Sequence, residues 1–162
     1  MRYPIPLYVN GGQEMLVRYF DEIEVGDKVI SRGRTITESD IVLFAAITGD
    51  WNELHTNAEY SKQSRFGERI AHGPLMVAIA GGMCFGNEIH TDVAIAFYGW
   101  DRVRITAPTK IGDTIWVESE ITEKKERDVK SGLITLRQTA RNQREEIVLA
   151  MDSKILVKRN KG

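Results

Sequence analysis

The chain has 162 residues, a length typical of one globular domain and too short for a multidomain assembly. Apolar residues make up 42% of the sequence and charged residues 28%, a composition that excludes a disordered or fibrous protein. The formal net charge of -1 argues against a nucleic-acid-binding protein, which needs a strongly basic surface.

Charge is unevenly distributed along the chain. Residues 1–100 carry 8 basic and 13 acidic side chains, whereas residues 101–162 carry 14 basic and 10 acidic side chains. The second segment is therefore net positive and is suited to attract an anionic ligand.

Cysteine usage and apolar patterning predict a cytoplasmic protein that is not associated with a membrane. Cys84 is the single cysteine, which excludes an internal disulfide and a zinc site built on paired cysteines. Residues 1–7 have neither a basic segment nor a continuous apolar run, so we expect no secretory signal. Residues 73–87 are uncharged but are interrupted by glycine and proline and fall short of the ~18 apolar residues of a membrane span.

The first half of the chain is predicted to be helical after an N-terminal arm. Residues 1–20 mix proline and glycine and are expected to form an arm that leads into one domain, residues 21–162. Thr37 begins a capping-box pattern, and apolar residues then recur at helical spacing up to Gly49. This pattern predicts a helix closed by a left-handed glycine, with Asp50 just beyond its C-terminal end.

The second half is predicted to form an antiparallel sheet around one apolar helix. A capping pattern at residues 56–59 predicts a short helix through Lys62. Pro74 then begins a run that is apolar on every face through Phe85, which predicts a helix enclosed on most of its sides. Alternating apolar and polar residues predict four strands at 95–107, 114–122, 133–141 and 147–158. The simplest architecture is an α+β fold.

Two sequence motifs carry candidate chemistry. The segment Thr48–His55 contains an aspartate, an asparagine and a histidine, and Ile70–Gly73 places His-Gly at the start of the apolar helix. Arg104–Pro108 and Gly112-Asp113 complete a strand-and-turn pattern further on. Together these motifs resemble MaoC-like dehydratases, the family of (R)-specific enoyl-CoA hydratases. The resemblance, which covers roughly Ile30–Val157, implies the hotdog fold.

Adding water to an α,β-unsaturated thioester needs a base for the water, an acid for the α-carbon and donors for the enolate-like oxygen. Asp50 and His55 are suitable residue types, because histidine exchanges protons near neutral pH and we expect the carboxyl group to be partly desolvated. The resemblance implies that they hold the reacting water between them, and that syn addition gives an (R)-3-hydroxyacyl thioester. Which of the two donates the α-proton stays open.

Three further residues are expected to support this chemistry. The backbone N–H of Gly73 is the candidate donor to the thioester oxygen, because free amides and the positive end of the dipole meet at a helix start. Asn52 is interpreted as fixing the turn through its side-chain amide. The resemblance implies that this asparagine also has a supporting position near the reacting water. His72 is interpreted as structural, holding the loop before the apolar helix.

Two positions depart from the family pattern. Glu53 stands where the family usually has proline, so the turn is expected to be less rigid. Gly81 stands where many members have a serine whose hydroxyl supports the aspartate and the histidine. A smaller residue at position 81 is expected to enlarge the pocket for a branched or carboxylated acyl chain. Trp100 and Trp116 are interpreted as packing or interface residues.

We therefore expect a hydro-lyase of fatty acid metabolism that acts on an acyl-CoA thioester. No metal ion or redox cofactor is expected, because the thioester itself activates the alkene. The resemblance implies a homodimer, and edge-to-edge pairing of two sheets would also remove an exposed sheet edge. Arg102, Arg104 and Lys110, from the net-positive segment, are candidates for contacts to the CoA phosphates.

Two other functions remain open at this point. One is an acyl-CoA-binding regulatory module without turnover, and the other is a hotdog acyl-CoA thioesterase. Asp50 together with His55 favours hydration over thioester hydrolysis, whereas only an activity measurement separates an enzyme from a regulatory module. The sequence does not determine the acyl chain length, or whether the carrier is CoA or an acyl-carrier protein.

Overall fold

A computed structural model describes residues 19–85 and 93–160, without the side chains of residues 84 and 85. The predicted N-terminal arm therefore lies outside the described residues, except for Tyr19 and Phe20. Within the described ranges, no helix has the length and the apolar character that crossing a bilayer requires.

The described part of the chain forms helices first and then the long strands, as the sequence predicts for an α+β fold. The helices are α1 (Glu38–Thr48), α2 (Glu53–Thr56), α3 (Ala58–Lys62) and α4 (Gly73–Phe85), preceded by a 3-10 turn at Phe20–Glu22. The strands are β1 (Lys28–Ile30), β2 (Arg34–Thr35), β3 (Ala94–Ile105), β4 (Thr114–Glu126), β5 (Ser131–Asn142) and β6 (Ile147–Lys158).

These strands join into one antiparallel sheet in the order β1-β4-β5-β6-β3, and β2 also pairs with β4. Strand β4 alternates as predicted, because Ile115 and Val117 are buried while Trp116 and Glu118 are only partly buried. Strand β3 ends the sheet on one side, and its pairing with β6 is interrupted by three register shifts. Such irregularities are common on edge strands.

Helix α4 packs on one face of this sheet. Met76 and Ala80 of α4 are 1% and 0% exposed and share an apolar cluster with Val117, Leu149 and Met151 from β4 and β6. Full burial of a large apolar side chain contributes about 1.5–3 kcal/mol to folding. This packing stabilises the contact between α4 and the sheet, and it fixes the position of the helix N-terminus relative to the strands.

Helix α4 leaves one stripe of residues exposed in the single chain. Pro74, Ala78 and Gly82 recur every four residues, share one side of the helix and are exposed. Among residues 73–83 only this stripe is exposed, which agrees with the prediction of a helix enclosed on most of its sides.

Local sequence signals agree with the observed helices. The hydroxyl of Thr37 accepts the N–H of Asp40 at 3.4 Å, and Gly49 closes α1 in the left-handed region with φ of 77°. Helix α3 ends at Lys62, as predicted, but its N-cap is Asn57, whose Oδ1 accepts the N–H groups of Glu59 and Tyr60, and not the first residue of the 56–59 pattern. The elements α2, β1 and β2 are not indicated by the sequence pattern, because they have four, three and two residues and too few positions for a periodicity.

Candidate active site

Asp50 lies in the turn that follows α1. The N–H of Gly49 donates to the carbonyl of Ala45 at 2.8 Å, which ends the helix and turns the chain outward. Asp50 donates its own N–H to Thr48 Oγ1, and its Oδ1 accepts the N–H of Asn52, both at 3.3 Å. Asp50 is exposed. The partial desolvation expected from the sequence is therefore not provided by the single chain.

Helix α2 is a single turn that carries His55. Asn52 caps this turn, because its Oδ1 accepts the N–H of Leu54 at 3.0 Å. The buried hydroxyl of Ser61, on α3, lies 3.1 Å from the carbonyl oxygens of both Glu53 and Leu54. The turn is thus held at its start by a side-chain cap and along its length by the next helix.

The carbonyl of Ile70 fixes the ring of His55. His55 Nδ1 lies 2.8 Å from this oxygen, and the N–H of Ile70 donates in return to Leu54 O at 3.2 Å. A carbonyl oxygen only accepts, so the hydrogen resides on Nδ1. In the neutral ring this leaves Nε2 with an unprotonated lone pair, which is the form that a general base requires.

His72 is fully buried, with 0% of its surface exposed, and it contacts both candidate residues. Its Nε2 donates to the backbone carbonyl of Asp50 at 3.0 Å. Its ring stacks against that of His55, with centroids 3.8 Å apart and planes at 32°, and the ring of Phe44 lies 5.0 Å away. Burial lowers the pKa of His72, which favours a neutral ring.

The structure brings Asp50, His55 and His72 together. A carboxylate oxygen of Asp50 and one ring nitrogen of each histidine all lie within 4.8 Å of one another. Such a set can in principle hold a metal ion, but one nitrogen of each ring is bound to a carbonyl and the two rings are stacked. In-plane lone pairs of stacked rings converge poorly on one ion, so the arrangement suits proton transfer better than tetrahedral coordination.

Gly73 begins α4 and directly follows His72, one of the three clustered residues. An added Cβ at Gly73 would lie 3.2 Å from Ile105 Cγ1, so the glycine is where β3 approaches the start of the helix closely. The amides of the first helical turn have no acceptor within the helix itself, and the positive end of the dipole lies there. This end of α4 is therefore suited to a developing negative charge on oxygen.

Lys110 lies beside the segment that holds His55. It forms an isolated antiparallel bridge with Ile70, and its Nζ pairs with Glu68 Oε1 at 2.7 Å. Its backbone N–H donates to Asp113 Oδ2 at 2.9 Å. The cation is thus anchored close to the candidate site and is partly exposed.

Arg102 and Arg104 lie on the edge strand β3. Arg102 Nε donates to Asp152 Oδ2 at 2.5 Å. Asp152 follows the core residue Met151 in β6, and successive side chains of a strand point to opposite faces, so Arg102 is bound on the face away from α4. A cleft of about 460 Å³ lies there. Arg104 is exposed. Phosphate contacts by these two arginines remain a prediction.

The two departures from the family pattern have structural counterparts. Glu53 occupies the first turn of α2, where its Oε1 accepts from Asn57 Nδ2 at 3.1 Å and where negative charge is favourable. An added Cβ at Gly81 would lie 3.0 Å from Trp100 Cζ2. The space expected to enlarge the pocket is therefore occupied by an indole ring, and that part of the expectation is wrong.

Sequence reasoning missed the partners that orient the histidines. Ile70 accepts from His55 through its backbone carbonyl, and Phe44 packs its ring on that of His72, 28 residues further along the chain. No sequence pattern marks either contact, because both depend on which distant segments the fold brings together.

Comparisons with known proteins place this geometry in context. A family model described as "MaoC like domain" matches residues 22–143. An (R)-specific enoyl-CoA hydratase from Rhodospirillum rubrum is 34% identical over 109 residues, which are 67% of this chain and 73% of that protein. Protein MaoC from Klebsiella aerogenes is 39% identical over 100 residues, but this chain spans only 29% of its length.

Solved structures with a similar fold carry different descriptions. A monoamine oxidase regulatory protein from Archaeoglobus has a TM-score of 0.83 and 39% identity, covering 89% of this chain and 96% of that one. The R-hydratase PhaJ1 from Pseudomonas aeruginosa has a TM-score of 0.76 and 30% identity, covering 88% and 86%. A double hotdog protein from Mycobacterium tuberculosis has a TM-score of 0.79 and 19% identity, covering 88% of this chain and 44% of that one. This similarity shows that the fold is the predicted hotdog.

Proposed function

The chain belongs to the MaoC-like domain family, and on that premise we propose that it hydrates a trans-2-enoyl-CoA to an (R)-3-hydroxyacyl-CoA and catalyses the reverse dehydration. The observation that carries this proposal is the orientation of His55. Its Nδ1–H is held by Ile70 O, which leaves Nε2 free to act as a base, and one ring nitrogen of His55 lies within 4.8 Å of a carboxylate oxygen of Asp50. The relatives named as hydratases support the same reaction.

The separation of Asp50 and His55 suits one water molecule between them. The ligand atoms of the cluster lie within 4.8 Å of one another, and the described residues include no direct hydrogen bond between these two side chains. A water that bonds to both groups at about 2.8 Å each spans up to about 5.6 Å. A separation of no more than 4.8 Å is therefore within the span of one bridging water.

In the proposed reaction, His55 Nε2 takes a proton from this water as the oxygen bonds to C3 of the substrate. The electron pair of the alkene moves toward the thioester, and the enolate-like oxygen is stabilised by the N–H of Gly73 at the start of α4. A proton from the His55 and Asp50 pair then reaches C2, so water is consumed and no leaving group departs. Because both groups act from one side, the addition is syn.

The proposal is tested by following two signals from a panel of enoyl-CoAs. Loss of the conjugated-thioester absorbance without release of free thiol is the expected result. Asp50→Asn and His55→Gln should each lower kcat/KM about 10²-fold or more. The matched control is Glu59→Gln, which removes an exposed carboxylate paired with Lys62 and should leave the rate unchanged. Full activity in either site variant would remove that residue from the mechanism.

The same panel separates two other functions. A regulatory module remains a candidate because a structure at 39% identity is described as a regulatory protein. Binding of enoyl-CoA without loss of absorbance would support it, and release of thiol would support a thioesterase. The proposed hydration needs no metal ion or redox cofactor, so treatment with a chelator is expected to leave the rate unchanged.

We also propose that the protein acts as a homodimer joined through the β3 edges. Phe97, Trp100 and Ile105 on this edge strand are 43%, 39% and 47% exposed. A second copy would cover these side chains and pair the backbone edge of β3 that no strand of the described ranges pairs. Phe97→Lys is expected to shift the molar mass measured by light scattering to that of one chain. Val129→Lys is the control and should leave the molar mass unchanged, because Val129 lies in the β4–β5 turn and is already 63% exposed. A monomeric native chain would contradict the proposal.

A further inference from the structure

His72 touches both groups to which the proposed function assigns proton transfer. Its Nε2 lies 3.0 Å from the main-chain oxygen of Asp50, and its ring lies face to face with that of His55 at a centroid distance of 3.8 Å. Phe44 packs on the same imidazole at 5.0 Å. The first two contacts both reach beyond the loop that precedes α4, to the segment that carries Asp50 and His55.

The surroundings of His72 select one protonation state. The carbonyl oxygen of Asp50 only accepts, so Nε2 carries the hydrogen. Nδ1 is buried and has no hydrogen-bond partner among the described residues. A second proton on Nδ1 would therefore be a buried donor without an acceptor, which is costly. The neutral ring with its hydrogen on Nε2 is the form that fits.

A neutral ring in this position matters for His55. During the proposed reaction His55 becomes an imidazolium, and a cation is stabilised by the face of an uncharged aromatic ring. A charged ring at position 72 would instead repel it. The charged groups that act on His72 are Asp50, which favours its protonated form, and His55, which opposes it.

We infer that His72 is a positioning residue that links the two proton-transfer groups, with its Nε2–H holding the main chain of Asp50 and its ring face supporting His55. The inference rests on the proposed function. It assigns the histidine of the second motif two separable tasks, one for each contact.

Two substitutions separate these tasks. His72→Gln keeps a donor near the position of Nε2 and removes the ring face. It is expected to lower kcat about 10-fold with little change in KM, and to move the acid limb of the kcat profile to lower pH. His72→Phe keeps a ring face and removes the donor to Asp50. It is expected to lower kcat by a similar factor and to leave the acid limb in place. Met76→Leu, a volume-conserving core change on α4, is the control and should alter neither quantity.

A measurement without turnover keeps the inference testable if a variant fails to fold or if the native chain hydrates no enoyl-CoA. Nitrogen-15 NMR of the native protein should show His72 neutral with its hydrogen on Nε2 between about pH 5 and 8. His55 should show its hydrogen on Nδ1 at high pH.

The outcomes are distinct. Absence of hydration with the expected NMR result would remove the proposed function while leaving the contacts of His72 established. Protonation of His72 together with His55 in the native protein would overturn the inference. So would values of kcat within 2-fold of native in both folded variants together with an unmoved acid limb.

Discussion

Replacing Asp113 with asparagine should destabilise the turn that anchors Lys110 beside the site. Asp113 is 3% exposed, and its carboxylate accepts the backbone N–H of Lys110 at 2.9 Å and Gln143 Nε2 at 2.6 Å. The guanidinium of Arg144 adds two bonds, at 2.8 and 3.2 Å. Asparagine has nearly the same shape, but it is uncharged and replaces one acceptor oxygen by a donor.

The expected loss of stability follows from these bonds. A hydrogen bond to a charged group contributes about 1.5–3 kcal/mol, and breaking a buried ion pair costs about 3–5 kcal/mol. The side chain of Arg144 is 44% exposed, so solvent screening reduces its share. We therefore expect Asp113→Asn to lower the free energy of unfolding by about 2–3 kcal/mol. For a chain of this size, the corresponding decrease in Tm is roughly 5–10 °C.

The effect should depend on pH in one direction. Burial by itself raises the pKa of Asp113, but bonds from Arg144, the Lys110 amide and Gln143 outweigh it, and the pKa is lowered. A carboxyl group with a depressed folded-state pKa stabilises the protein above its unfolded-state value of about 3.9. That stabilisation disappears as the pH falls through the folded-state value. The difference between native and variant should therefore be complete at pH 7 and shrink below about pH 4.

Chemical and thermal unfolding followed by circular dichroism at pH 7 and at low pH measures both effects. Glu146→Gln is the matched control, because Glu146 is an exposed partner of the same arginine and its loss should cost less than about 1 kcal/mol. Equal stabilities of native protein and Asp113→Asn at pH 7 would refute the reasoning. A difference that persists unchanged at low pH would refute its electrostatic part.

Two further predictions concern Gly81 and Lys110. Gly81→Ser should displace the indole of Trp100, lower the free energy of unfolding by about 1 kcal/mol and shift the tryptophan fluorescence. Gly82→Ser is the control and should leave the fluorescence unchanged, because its added Cβ would meet nothing within 4 Å. Unchanged fluorescence in both would contradict the packing described here. Lys110→Ala should raise KM for enoyl-CoA several-fold at unchanged kcat, with an effect that fades at high salt, while Glu68→Gln should not raise KM. Equal KM values at low salt would exclude a phosphate contact by Lys110.

The α+β fold and most long elements can be predicted from the sequence because their signals are local. Thr37 and Gly49 mark the two ends of α1 through capping and left-handed geometry, both of which act within a few residues. Strand β6 occupies the predicted range, because apolar residues recur at alternate positions in its sequence. Its observed burial is more continuous, since Met151, Asp152 and Ser153 are all buried. The edge irregularities of β3 could not be predicted, because register shifts depend on the pairing with β6.

At the site, the sequence by itself determined which chemical groups are available: a carboxylate, two imidazoles and a helix beginning at Gly73. Tertiary structure decided what each group can do. The carbonyl of Ile70 selects the ring nitrogen that His55 leaves free, and burial lowers the pKa of His72, whose ring lies against that of His55. The indole of Trp100 occupies the space beside Gly81. The physical reason is that protonation state, ring stacking and free volume depend on atoms that are distant in the chain and become neighbours only when it folds.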